Sequence, residues 1–104
     1  MRVNKNISTS ILTEDKEINY SYRLTEKRFY KGQAYGIEVE RQDVVDGNLV
    51  AVERDSIDLI SPNKEKVEVL LNLLAKNNVS PIHLVDIIGE YVDQYVGEFD
   101  KYRQ

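Results

Sequence analysis

Cysteine and tryptophan are absent from this chain, and histidine occurs once. Without cysteine there are no disulfides, no thiolate nucleophile and no cysteine-ligated zinc or iron–sulfur site, and the composition suits a reducing cytoplasm. No apolar run approaches the roughly 20 residues that cross a bilayer. The first six residues, Met-Arg-Val-Asn-Lys-Asn, have no apolar stretch behind them, so no secretory signal is expected and the expected location is the cytoplasm. The five glycines, Gly32, Gly36, Gly47, Gly89 and Gly97, form no phosphate-cradling loop between a strand and a helix. Excess positive charge is missing too. A net charge of -4 argues against direct nucleic-acid binding, because Lys and Arg contacts to phosphate supply most non-specific affinity.

What remains is a chain of 104 residues, 41% hydrophobic and 31% charged, which suits one globular domain. In residues 2–12, Val3, Ile7, Thr9 and Ile11 alternate with polar neighbours at the period of a half-buried strand. After a turn at Thr13-Glu14-Asp15-Lys16, a second strand sets Ile18, Tyr20, Tyr22 and Leu24 against Asn19, Ser21 and Arg23. Residues 25–33 hold no sustained period and read as a longer excursion. A third strand over 34–42 points Tyr35, Ile37 and Val39 inward, with Gly36, Glu38 and Glu40 outward. Asp46-Gly47 is a strong hairpin dipeptide. In the fourth strand the apolar phase moves from Leu49–Val52 to Ile57, Leu59 and Ile60, which calls for a bulge or break across Glu53, Arg54 and Asp55.

Residues 61–102 change period. Ser61-Pro62 and Ser80-Pro81 each look like a capping serine followed by a first-turn proline. Val67, Leu70, Leu71 and Leu74 recur at helical spacing, and Asn77-Asn78 suits a helix stop. The predicted fold is α+β: a sheet over 1–60 formed as a four-stranded antiparallel meander, then helices over 61–78 and 81–102 packed on one face, in the order ββββαα. The second helix, at about 1.5 Å per residue, would run roughly 30 Å, beyond strands of roughly 20 Å. Its end is therefore expected to protrude.

The chemistry-bearing residues are sparse. His83 would sit in the first turn of the second helix with no nucleophile or carboxylate specified beside it. Glu38 and Glu40 share a strand face and are expected to be solvent-facing. One histidine and scattered carboxylates do not make the spaced ligand set of a metal site. No cofactor is expected, and the chain is read as a non-enzyme. Arg23, Lys27, Arg28 and Lys31, interleaved with Phe29 and Tyr30, form the one basic patch and read as a solvated hairpin loop.

The informative surface is on the second helix. Its apolar arc is wider than one sheet face needs, and Tyr91, Val92, Tyr95, Val96, Phe99 and Tyr102 are the expected partner-binding residues. Positions 85, 88, 92, 95, 99 and 102 step by three and four, a seam that could also pair with a second copy. Asp86, Glu90 and Asp93 line one helix face as a candidate electrostatic contact. The functional expectation is a small non-enzymatic protein–protein interaction module, with a regulatory role, working through this helix. The alternative is a mobile-element or phage accessory protein that inhibits or redirects a nucleic-acid enzyme by offering an acidic surface to its basic groove.

Three segments, Tyr35-Gly36-Ile37-Glu38, Ile60-Ser61-Pro62-Asn63-Lys64 and Asn77-Asn78-Val79-Ser80-Pro81, resemble an uncharacterised family of small clostridial proteins, a domain of unknown function, over residues 18–92. The resemblance implies a Gram-positive, cytoplasmic protein and brings no activity, cofactor or site residue.

Overall fold

Four antiparallel strands in sequence order form one open sheet, and two helices follow: β1 (Arg2–Leu12), β2 (Glu17–Phe29), β3 (Gly32–Val45), β4 (Asn48–Ser61), α1 (Lys64–Lys76) and α2 (Leu84–Tyr95). A 3-10 turn, Pro81–His83, leads into α2, and a second, Val96–Tyr102, follows it. The computed structural model describes residues 2–102, without the side chains of Val96, Lys101 and Tyr102.

Alternation decides which sheet face is covered. Tyr20, Tyr22 and Leu24 of β2, Ile37 and Val39 of β3 and Ile60 of β4 are buried together with Val67, Leu70, Leu71 and Leu74 of α1 and Leu84 and Ile88 of α2. The stretch between the helices is pinned to the same face. The Tyr22 hydroxyl donates to the Val79 carbonyl at 3.0 Å, the Tyr20 hydroxyl meets the Ser80 hydroxyl at 3.0 Å, and Thr9 donates to Asn78 at 2.8 Å. Burial, then neighbouring Tyr20, pushes the Tyr22 hydroxyl above the ordinary tyrosine range, against a hydrogen bond with Thr9.

The strands are longer than the sequence pattern indicates. β2 continues through residues 25–29, and the expected excursion is a two-residue turn with Tyr30 in the left-handed region at φ 55. Asp46 and Gly47, at φ 50 and 79, make the β3–β4 turn as the dipeptide predicts. Strands of 13 to 14 residues extend about 45 Å at roughly 3.3 Å per residue, whereas α2, with 12 residues, covers about 18 Å. The predicted overhang is thereby reversed: the sheet runs past the helices.

The phase shift in β4 has its cause two residues beyond the predicted place. Tyr35 pairs with Ser61 and Ile37 with Ile57, so β4 uses two extra residues opposite Gly36. A second irregularity lies between Asp43 and Val44, while Glu53, Arg54 and Asp55 pair regularly. Gly36 is what lets the bulge close. A Cβ there would lie 2.6 Å from the Asp58 carbonyl oxygen, 2.7 Å from its Cα, and closer still to the Ile57 oxygen.

The helix starts also shift. α1 is capped by Asn63, whose side chain accepts from the Glu65 and Lys66 amides at 3.0 and 3.4 Å, while Ser61 belongs to β4. Ser80 precedes Pro81 as expected but makes no side-chain cap bond, its hydroxyl being held by Tyr20. Both predicted helix ranges, 61–78 and 81–102, therefore shorten.

Candidate interaction surface

The segment that follows α2 turns inward. After Tyr95 the backbone tightens into the 3-10 turn, and Phe99 is 3% exposed, its ring edge-on to Phe29 at 5.2 Å. Lys66 of α1 secures the turn by ion-pairing with Glu98 at 2.9 Å and sitting 4.8 Å over the Tyr95 ring. The Ser61 hydroxyl also donates to Glu98, at 3.3 Å. The expected protruding end is thus corrected: Phe99, on the predicted overhang, is buried against Phe29.

This redistributes the expected contact residues. Phe99 is buried, and Val92 and Tyr95 are half-buried against the core. Tyr91 is exposed, while the side chains of Val96 and Tyr102 lie outside the described residues. The 3–4 seam is divided: Ile88 and Phe99 face the sheet, Val92 and Tyr95 are half-buried, and Val85 is exposed. What α2 offers to solvent lies on its other sides. Ile82 is 70% and Val85 56% exposed, one turn apart, and Ile87 is exposed as well. Asp86, Glu90 and Asp93 are all exposed, and among the described residues none of them makes an ion pair.

Beside this flank runs the free edge of β4, exposed from Asn48 through Ser56. A cleft of about 300 Å³ lies between strand and helix entry, lined by Glu53, Arg54, Asp55, Pro81 and Ile82. Glu53 and Asp55 stand opposite Arg41 and Val39, which places both carboxylates on the helix side of the sheet. Leu49 and Val52 stand opposite Val44 and Gln42, on the open side.

The open side is held by charge. Arg23 donates to Glu38 at 2.6 Å and to Glu40 at 3.0 Å, and Arg54 donates to the other Glu40 oxygen. Glu40 is only 4% exposed, so the pair expected to face solvent is instead an ion-paired ladder. Burial pushes the Glu40 carboxyl up, but the hydrogen bonds from Arg23 and Arg54 outweigh it and hold it below the usual range. On the helix side, the Arg41 guanidinium and then Lys16 lower the Asp43 carboxyl to about 2. The basic patch is dispersed: Arg23 serves the glutamates, Lys27 lies 3.7 Å from Asp58, and Phe29 packs on Phe99. His83 is exposed in the first 3-10 turn. Among the described residues no three His, Cys, Asp or Glu are grouped to hold a metal, and no helix is long and apolar enough to cross a membrane.

A family model describing a family of unknown function, DUF6514, matches residues 1–94. The chain belongs to that family. The DUF6514 match includes β1, outside the 18–92 range of the sequence resemblance, and ends just before the turn that carries Phe99. Neither the curated proteins nor the solved structures contain a match. The features that sequence reasoning missed are Ile82 as an exposed apolar group and the β4 edge, whereas Val85 stood in the 3–4 seam. Ile82 sits directly after the Ser80-Pro81 start signal, where apolar character reads as helix interior.

Proposed function

We propose that this chain is a small non-enzymatic protein–protein interaction module with a regulatory role in a clostridial cytoplasm, and that its partner meets the outer flank of α2 and the 3-10 turn before it. One observation carries the reading: Ile82 and Val85 are largely exposed at adjacent turns, while Leu84 and Ile88 already hold the helix to the sheet. Exposed apolar groups beside a charged row have the make-up of an interface core with a polar rim. The test is affinity capture from a clostridial lysate with the full chain and with Ile82→Asp/Val85→Asp, using Val69→Asp on the exposed side of α1 as control. A specific partner should be held by wild type and control and lost by the double variant. Retention by the double variant sinks the reading.

The exposed row of Asp86, Glu90 and Asp93, unpaired among the described residues, favours a second reading: an accessory protein of a mobile element or phage that occupies the basic groove of a nucleic-acid enzyme. Reversing the three carboxylates to lysine should then abolish binding to such an enzyme, and binding that survives reversal would exclude it.

A further inference from the structure

We propose that the cleft between β4 and Pro81-Ile82 is a binding site for a lysine or arginine side chain, delivered by an extended segment of a partner protein that adds as a fifth strand to the β4 edge. The inference rests on the interaction-module reading and names the chemistry of the partner.

Sheet order leaves β4 paired with β3 alone, and Asn48 through Ser56 are exposed. Such an edge carries unpaired backbone donors and acceptors and is a template for another chain. The side chains beside it differ by face. On the open side stand Leu49 and Val52, both exposed, which suit apolar residues of an incoming strand. On the helix side stand Glu53 and Asp55, with Pro81 and Ile82 walling the cleft. A cationic side chain entering there lays its methylene stem along the exposed Ile82 and its charged head between the two carboxylates. Arg41, opposite Glu53, feels its charge but makes no ion pair with it: its guanidinium is bonded to Asp43 at 2.8 Å and lies 6.0 Å from the centre of the Tyr20 ring. Arg54 also lines the cleft, but its guanidinium is bonded to Glu40, opposite it on the open side. Asp55 accepts the Ser56 amide at 2.8 Å, which fixes its side chain at the strand edge.

Alternation along an added strand thus selects apolar residues on one side and a cation on the other. A second copy of this chain is a poor occupant, because pairing β4 with itself lines up Glu53 and Asp55 of both chains along one seam, each chain carrying a net charge of -4.

The probe is a capped eight-residue peptide of alternating valine and threonine with lysine at one helix-side position, titrated into the full 15N-labelled chain. Shift changes and slowed amide exchange are expected in residues 49–56 and around Ile82. Glutamate in place of the lysine should weaken binding at least tenfold, and Glu53→Gln/Asp55→Asn should erase that preference while the protein stays folded. Equal binding of the lysine and glutamate peptides overturns the site. Shifts confined to the outer face of α2 overturn edge addition while upholding the helix-flank reading. A silent titration overturns edge addition alone, since the helix flank is judged by the Ile82/Val85 capture.

Discussion

At the residue scale, Gly36 and Asp43 show two ways in which one side chain, or its absence, sets the sheet. Gly36→Ala inserts a Cβ against the β4 backbone at Ile57 and Asp58, where no flexible side-chain end can yield. Destabilisation of about 3 kcal/mol or more is expected, comparable with severe overpacking. A urea midpoint within about 0.5 kcal/mol of wild type would show that the bulge relaxes freely. Asp43 is half legible. Arg41 falls inside the predicted strand, but that strand stops at 42, and the clamp on Asp43 also needs Lys16 of the β1–β2 turn, at 2.9 Å. Because its folded carboxyl titrates at about 2 against an ordinary 3.8, its stabilisation is complete above roughly pH 4 and fades as pH falls toward 2. Asp43→Asn should lower stability at pH 7 by about 1–2 kcal/mol and flatten the profile between pH 4 and 2. Parallel wild-type and variant profiles across that window would refute the clamp. Glu40 illustrates what a pattern conceals: its phase does point it outward, yet Arg23 and Arg54 close over it.

At the element scale, the pattern is most informative where neighbours in sequence are neighbours in space. Period two identified β1, β3 and the first part of β2, β4 was read from the apolar run at Leu49–Val52, and the Asp46-Gly47 turn came from local backbone preference alone. The Tyr30-Lys31 turn was hidden because its left-handed residue is a tyrosine rather than glycine or asparagine. The start of α1 was displaced because Ser61-Pro62 imitates a cap, while the bulge opposite Gly36 keeps Ser61 in the strand. The C-terminal turn was unreadable for another reason: Phe99 meets Phe29, and nothing near either residue encodes that pairing. Phe99→Ala should cost about 3 kcal/mol, as for other buried aromatics, and should loosen the Lys66–Glu98 pair with it. Unchanged thermal stability, with Glu98 still fixed beside Lys66, would contradict the inward packing.

At the scale of the whole molecule, strand length governs shape. The chain measures 54 × 23 × 18 Å with a Cα radius of gyration of 15.1 Å, against about 13 Å for a compact domain of this length. The ββββαα order was legible from composition and period, whereas the reach of the strands was not, since alternation gives a face without saying what covers it. One end of the sheet is clad by helices, and the other leaves Leu12, Leu49 and Val50 exposed. Amide exchange should therefore differ along a single strand, slow at residues 35–39 of β3 and markedly faster at 43–45. Uniform protection along β3 would mean that the bare end is covered in solution.

The order of elements along the chain has a further consequence during synthesis. All four strands leave the ribosome before either helix, and each pairs with its predecessor through a short turn, so the sheet can zip up locally as it emerges. Until residues 64–95 follow, however, Tyr22, Leu24, Ile37 and Val39 form a naked apolar wall, and the nascent chain has its greatest need of a chaperone in the interval between the last strand and the first helix.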